Sequence, residues 1–555
     1  MANPDADVPT IPSRPNAGTS VGKIVDIEHA VVADDPRQWS PARKNAILVT
    51  VSGAAIIVGL GANLYNPAIE QVESQLHASS GDISWSISLF ILIQGCFPLV
   101  WSAISEIYGR KVVYIASFGF GIVGCVVAAT AKSIGVLIGM RCVQAAGSSS
   151  VLAMGAATLA DIYDPHIRGT MMGVFYSAPL LGPALGPIIG GALTQAFNWR
   201  ATFWFIVIFT GLCFVAFIFF KDTFRRERSL TYQAVLKRRL KERALKETNS
   251  SGRSSISHET VVSAETKITK EDKLETSPSA GITHDSGALI SEVFAKDLEG
   301  QTTLGSGDST GVVTKELKEI RLSFRDVNPI GPVFLVLSRP NNVAILFASG
   351  LLFAFSYCLA YTCSRTLSIK YGYDALQIGL VLLAFGMGSM LGSILGGRWS
   401  DRVFTRLKAK NGGVSRPEMR LESTFVSMLF LPLSSLGFGW VAEKHVHVAA
   451  ICVFLFFAGF FSIAMYASTL AYIVDANAGR SSPAVAANSS FRGISAFVAT
   501  EVAVPLQLAI GDGGLYSLWA GLMIIAELLL LLVWWKGASW REEAERKEAQ
   551  RASES

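Results

Sequence analysis

The chain has 555 residues, of which 50% are hydrophobic and only 16% are charged. Soluble proteins carry about 25% charged residues, and most charges of this chain lie within 1–44, 222–342 and 536–555. Several apolar runs between these regions exceed ~18 residues, the length that spans a bilayer, so a soluble globular fold is excluded. The net charge of +5 is not gathered in a basic stripe interleaved with aromatic residues, so we expect no nucleic-acid partner.

The sequence shows no pattern of catalytic or metal-binding residues. All seven cysteines fall in hydrophobic runs, where neither a disulfide framework nor paired metal-ligand spacing is present. The run at 119–124 satisfies G-x-G-x-x-G, but it lies inside an apolar run, and no Walker A sequence occurs. We therefore predict that the protein is not an enzyme, carries no metal or cofactor, and is not driven by ATP.

Twelve apolar runs of about 20 residues are predicted to span the membrane, six on each side of a long polar loop. The first six lie at 45–66, 85–105, 112–131, 135–157, 169–195 and 202–220. The second six lie at 343–364, 376–397, 423–441, 447–470, 484–507 and 514–535. We therefore predict an all-α integral membrane protein with an N-terminal half at 45–221 and a C-terminal half at 343–535.

Lysine and arginine are concentrated in alternate loops, which sets the predicted orientation. With the N terminus inside, the inner loops receive bases such as Arg110, Lys111 and Arg402, whereas the first outer loop at 67–84 has none. Both termini are therefore predicted to be cytoplasmic, with a disordered tail at 1–44 and a second tail at 536–555.

The loop at 222–342 is rich in Ser, Thr, Glu and Lys and is predicted to be mostly disordered. Its basic stretch at 228–247 has good helix-forming residues. This stretch is predicted either to lie against anionic lipid or to form a solvated linker helix.

Residues 102–111 read Ser-Ala-Ile-Ser-Glu-Ile-Tyr-Gly-Arg-Lys and join the second and third predicted spans. This resembles the loop motif G-x-L-a-D-r-x-G-R-K of the major facilitator superfamily, and a degraded copy at 397–402 has lost the later Gly-Arg. In that family the acid meets the start of span eleven, which here begins Ser482-Pro483. The predicted gating residues are Glu106, Gly109, Arg110, Lys111, Asp401 and Arg402.

Span four contains Arg141 and Gln144, in a pattern that resembles the family motif R-x-x-Q-G-x-G. A guanidinium inside a membrane helix is costly and points to function. We expect Arg141 to stabilise an ionised carboxylate or an anionic substrate, while a structural bond to backbone carbonyls remains the alternative.

Span five resembles the signature G-x8-G-x3-G-P-x2-G-G that marks proton-exchanging exporters of the family. Prolines four residues apart should bend the helix, and the glycines should allow close packing of a partner helix. The signature residues are Gly173, Gly182, Gly186, Pro187, Gly190 and Gly191.

Further polar and aromatic residues extend the resemblance to the twelve-span drug:proton antiporters and to their fungal quinidine-resistance branch. Glu501 is the preferred candidate for a titrating carboxylate, with Glu70 as second choice, and Arg492 is not expected to pair with Glu501. The predicted cavity residues are Asn63, Tyr65, Gln94, Tyr357, Tyr361, Tyr466 and Asn488.

This resemblance implies two six-helix bundles that open a central cavity alternately to each side of the membrane. It implies export of small hydrophobic or cationic compounds in exchange for protons: drugs, xenobiotics, secondary metabolites, polyamines or weak acids. We expect a monomer in the lipid bilayer, of the plasma membrane or alternatively of the vacuole. Proton-coupled uptake of one metabolite, and ligand sensing without transport, are the alternative functions.

Overall fold

The computed structural model describes residues 34–163, 165–226, 331–477 and 481–554, with a few positions between 232 and 242. The regular structure of these residues is helical. Most of the tail at 1–44, of the loop at 222–342 and of the predicted basic helix at 228–247 lies outside the described residues.

The N-terminal half contains nine helices among its described residues. They are α1 (Pro41–Asn63), α2 (Ile69–Leu76), α3 (Ser80–Cys96), α4 (Pro98–Tyr108), α5 (Arg110–Ala129), α6 (Ile134–Ile162), α7 (Pro165–Ser177), α8 (Leu181–Ala196) and α9 (Arg200–Ile218). Pro98 begins α4 and divides the second predicted span into α3 and α4. A 3-10 turn at Ala178–Leu180, which contains Pro179, divides the fifth span into α7 and α8, as expected where proline removes a backbone donor.

The C-terminal half contains six helices among its described residues. They are α10 (Gly331–Leu337), α11 (Pro340–Tyr371), α12 (Ala375–Lys410), α13 (Phe425–Glu443), α14 (Val448–Ala476) and α15 (Ser481–Glu554). A 3-10 segment at Pro417–Thr424 precedes α13.

Eleven helical runs in the described part of the chain are long and apolar enough to cross a membrane. The last of them, Pro483–Glu548, has 66 residues. At 1.5 Å per residue it measures roughly 100 Å, more than three times the hydrocarbon thickness of a bilayer. It changes direction at Gly511, where φ is 72°, a value that glycine adopts without a steric penalty. This run therefore contains two spans, which correspond to predicted spans eleven and twelve.

The two halves pack against each other through α3 with α15 and through α8 with α12. We name the ends of the bundle by what they carry. The loop-1 end carries residues 64–80, which connect α1 to α3, and the tail end carries the start of α1 and residues 536–554 of α15.

Candidate functional site

Arg141 lies in α6 and is only 1% exposed. Its guanidinium carbon lies 4.2 Å from the ring centre of Tyr65 and 4.7 Å from that of Phe90. Its Nε donates to the carbonyl of Ser86 at 3.1 Å, while its Nη2 is buried without a hydrogen-bond partner in the described chain. The rings cover the face of the guanidinium, so one N–H edge stays available to a ligand.

Arg492 lies in the first limb of α15 and repeats this arrangement in the C-terminal half. Its guanidinium carbon lies 3.9 Å from the ring centre of Phe353 and 4.5 Å from that of Tyr466. Its Nη1 donates to the Tyr466 hydroxyl at 2.6 Å. Its Nε is buried and has no hydrogen-bond partner among the residues described.

Tyr357 of α11 lies in the electrostatic range of both arginines, Arg141 and Arg492. Its ring centre lies 4.7 Å from that of Phe353. Asn488 lies one helical turn before Arg492, and its buried Oδ1 has no hydrogen-bond partner within the described part of the chain. These residues form one polar, aromatic site between the halves, which we call the two-arginine site (Arg141, Tyr357, Asn488, Arg492 and the rings against them).

Three other predicted site residues, Asn63, Gln94 and Gln144, lie within the N-terminal half and face its own residues. Asn63 donates to the carbonyl of Gly59 at 2.8 Å, and Gln94 donates to that of Val58 at 3.2 Å. Gln144 lines a void of about 10 Å³, which is about the size of one water. Its amide oxygen and nitrogen have no partner in the described residues.

Glu501 lies in α15 and contacts α3 of the other half. Its Oε1 accepts hydrogen bonds from Ser88 at 2.5 Å and from Ser84 at 3.3 Å. Arg492 instead bonds Tyr466, so the two residues do not pair. A titratable carboxylate therefore lies at the contact between the halves.

The loop-1 end is closed by polar contacts between the halves. Glu70 accepts a hydrogen bond from Ser368, and Arg365 lies 3.7 Å from Glu73 and donates to Ser80 at 2.9 Å. The predicted cavity residue Tyr361 donates to the Ser80 carbonyl at 3.4 Å, so it belongs to this closure. The sequence reasoning missed Glu73 and Arg365, although Arg365 is one of few bases in the predicted outer loops.

The predicted gating loop of the N-terminal half lies at the tail end. Arg110 donates to Ser105 at 2.5 Å and lies 3.6 Å from Asp161, at the end of α6. Its backbone N–H bonds Asp222 at 3.2 Å, and Asp222 lies directly against Gly109, where φ is 88°. The side chain of Lys111 donates to the carbonyl of Ile218 at 2.7 Å.

Glu106 is half-buried near the end of α4. Its predicted partner is the start of span eleven. Residues 478–480 and the side chains of Ser481 and Ser482 lie outside the described residues, so this contact stays a prediction.

The C-terminal half has an equivalent charge cluster. Arg420 pairs with Asp401 at 2.7 Å and with Asp475 at 2.8 Å, while Arg402 is exposed. Asp401 belongs to the degraded motif copy, and Asp475 is the next-to-last residue of α14, as Asp161 is of α6. Arg420 thus supplies the arginine that the copy lacks in sequence. In the sequence, Arg420 is the base nearest to the start of the third predicted span of this half.

The glycines of span five lie at close helix contacts. A Cβ at Gly182 would collide with the backbone of Gly59, and one at Gly190 with that of Leu64, both on α1 or directly after it. A Cβ at Gly186 would lie 2.8 Å from the Cβ of Asn63, and one at Gly191 would meet Ala375 of α12. Pro187 lies inside α8, and the backbone of Gly173 lies in α7. These positions allow α8 to pack closely on α1 and on the other half.

Comparisons with known proteins agree with this architecture. Residues 51–500 match the Major Facilitator Superfamily. The chain is 28% identical to the MFS antiporter QDR3 of Candida albicans, over 92% of this chain and 80% of that protein. It is 26% identical to Quinidine resistance protein 3 of Saccharomyces cerevisiae, over 92% of this chain and 84% of that protein.

A solved structure supports the fold alone, because its sequence identity is only 9%. It is the xylose transporter XylE from E. coli in a partially occluded inward open conformation, with a TM-score of 0.57 over 89% of this chain and 98% of that one. The predicted fold and the resemblance to fungal quinidine-resistance transporters are both confirmed. The chain belongs to the major facilitator superfamily, and it is a multi-pass membrane transporter.

Proposed function

We propose that the protein exports small organic compounds in exchange for protons by alternating access. In this proposal it acts as a monomer in the plasma membrane with both termini in the cytoplasm. Its relatives include proteins named for antiport and for quinidine resistance, which supports efflux over uptake of one metabolite.

The observation that carries the proposal is the two-arginine site between the halves. Its buried N–H donors on Arg141 and Arg492 have no partner in the described residues. Buried polar groups without partners are costly and rare in native structures. A substrate that enters between the halves would satisfy these donors. The loop-1 end is closed beyond this site, which corresponds to one of the two states of an alternating-access cycle.

The contact of Glu501 with Ser84 and Ser88 supports a role in coupling. Opening the loop-1 end would separate α3 from α15 and remove both serine donors from the carboxylate. The surroundings of Glu501 therefore differ between the two states, which is what a coupling carboxylate requires. Glu70, with Ser368 as its partner, is the second candidate for this role.

The packing of span five supports the seal that an antiporter needs. Gly182, Gly186 and Gly190 bring α8 against α1. In this proposal the close contact prevents leakage of protons and solutes through the centre.

The test is proton movement in proteoliposomes of the full chain that contain a pH-sensitive dye, under an imposed pH gradient. Quinidine, spermidine and benzoate are added in turn. We expect at least one of them to trigger proton flux in the wild type, and we expect Glu501→Gln to abolish it, because the amide can accept the serine hydrogen bonds but cannot titrate. The matched control is Glu543→Gln, whose carboxylate pairs with Lys547 on the exposed face of α15. Unchanged flux in Glu501→Gln would exclude Glu501 as the coupling residue.

A further inference from the structure

We infer that the two-arginine site selects an organic anion, with the substrate carboxylate held by Arg141 and Arg492. This inference rests on the proposed export function and names the substrate class of the same site. It narrows the broad range of substrates that the sequence resemblance implies to organic acids in their ionised form.

The charge balance of the site is the first argument. Among the described residues, no carboxylate lies within ion-pair distance of either arginine, although ion pairs are present at both ends of the bundle. The nearest acid on the same helix, Glu501, is nine positions from Arg492, or ~13 Å along the axis, and it is bonded to α3. The site therefore holds two positive charges without a fixed counter-charge.

Burying unpaired charge in a low-dielectric region is costly. Arg141 is 1% exposed, so a bound anion would offset an existing penalty. A bound cation would instead add a third positive charge near two fixed guanidinium groups. The described part of the chain places no carboxylate next to either arginine that would offset this added charge.

The geometry of the donors is the second argument. Each guanidinium is covered on its face by aromatic rings: Tyr65 and Phe90 at Arg141, and Phe353 and Tyr466 at Arg492. Stacking leaves the in-plane N–H groups free, and Arg141 Nη2 and Arg492 Nε have no partner among the residues described. Planar carboxylates fit guanidinium edges by charge-assisted hydrogen bonds.

The remaining walls define the rest of the ligand. Phe353 and Tyr357 lie side by side on α11 with ring centres 4.7 Å apart, and Phe353 is stacked on Arg492. Aromatic walls favour aryl or other apolar groups through offset or edge-to-face contacts. The substrate class is therefore a carboxylate attached to an aromatic or apolar body.

The test compares ligands of one shape and different charge on the purified full chain in lipid nanodiscs. Benzoate and neutral benzamide form the matched pair, and tetraphenylphosphonium is the cation; binding is measured by isothermal titration calorimetry. We expect benzoate to bind at least about 10-fold more tightly than benzamide, the difference made by one charge-assisted hydrogen bond. Arg141→Gln and Arg492→Gln should each weaken benzoate by about 10-fold or more and leave benzamide unchanged.

Arg492→Lys keeps the charge and should retain part of the benzoate affinity, which separates loss of charge from loss of folding. Thermal unfolding of each variant checks that it is folded. Equal binding of benzoate and benzamide, or tighter binding of tetraphenylphosphonium than of benzoate, would overturn the inference. So would unchanged benzoate affinity in Arg492→Gln.

The proteoliposome assay separates this inference from the proposed function. Benzoate that binds through both arginines, while none of the tested compounds moves protons, would support the anion site and contradict proton-coupled export. Proton flux triggered by tetraphenylphosphonium and not by benzoate would support export and overturn the anion site.

Discussion

Glu527 places a carboxyl group inside the last membrane span. It is 7% exposed, and its Oε1 has no hydrogen-bond partner in the described part of the chain. Glu527 lies in the apolar run at 514–535, but it was not among the predicted site residues. A buried carboxylate without partners is a cost to the folded state, so we expect Glu527→Met to raise the thermal unfolding temperature of the purified protein.

Glu443, in contrast to Glu527, is a carboxylate that has partners. Its carboxylate lies 3.1 Å from Lys370 and accepts the Asp512 backbone N–H at 3.0 Å, beside the break at Gly511. Glu443→Met removes these contacts and should lower the unfolding temperature. Intrinsic tryptophan fluorescence would measure the unfolding temperatures of Glu527→Met and Glu443→Met. Opposite shifts would establish that its partners decide whether a carboxylate stabilises or destabilises the fold. A stabilised Glu443→Met would contradict this account.

Two glycines of α12, Gly386 and Gly397, allow the effect of close packing on stability to be measured apart from the effect of helix propensity. A Cβ at Gly386 would collide with the backbone of Ala184 in α8, whereas nothing lies within 4 Å of a Cβ at Gly397. Gly386→Ala should therefore destabilise the protein by about 1–3 kcal/mol through overpacking. Gly397→Ala should be neutral or stabilising by up to about 1 kcal/mol, because alanine favours the helix. Denaturant-dependent unfolding of both variants checks this, and equal stability would show that α8 and α12 can move apart at little cost.

The C-terminal end of α15 ties the tail end of the C-terminal half together. Arg339 precedes α11 and has a side chain only 6% exposed, and its Nη2 lies 3.1 Å from Glu548. Glu548→Gln should leave this guanidinium undercompensated, at a cost of up to about 3–5 kcal/mol. We expect a lower unfolding temperature and faster proteolysis of residues 536–554. Glu543→Gln, which affects only a surface pair, should change neither.

The sequence predicted the positions of the membrane-spanning helices better than the side-chain contacts between them. Apolar runs located each span, and the gap between 507 and 514 anticipated the break at Gly511. The pairing of Glu73 with Arg365 was not predictable, because the partners lie in different halves and no periodicity links them. Likewise, the motif copy after Asp401 appeared incomplete, because a loop separates it from Arg420. The sequence patterns predict roles for both Arg141 and Arg492, but only the fold shows that aromatic rings lie against each guanidinium group.

The polar contacts at the loop-1 end join the two halves of the molecule. Arg365 holds Glu73 and Ser80 across the loop-1 end, so Arg365→Gln should shift the population toward a state that is open there. Spin labels on the exposed residues Ser74 and Lys444, one in each half, would report this by electron–electron double resonance. The half-buried native cysteines (Cys96, Cys142 and Cys452) would be replaced by serine. We expect a longer distance in the variant, and an unchanged distribution would show that the other contacts suffice for closure.

The charge clusters at the tail end follow the same pattern in both halves of the chain. Arg110 with Asp161 and Arg420 with Asp475 recur at equivalent places in both halves, although their loops differ in length. The position twenty residues before Asp161 is Arg141, whereas the position twenty residues before Asp475 is Leu455. The two halves are therefore anchored alike at the tail end, but their ring-stacked arginines lie on helices that do not correspond, Arg141 on α6 and Arg492 on α15.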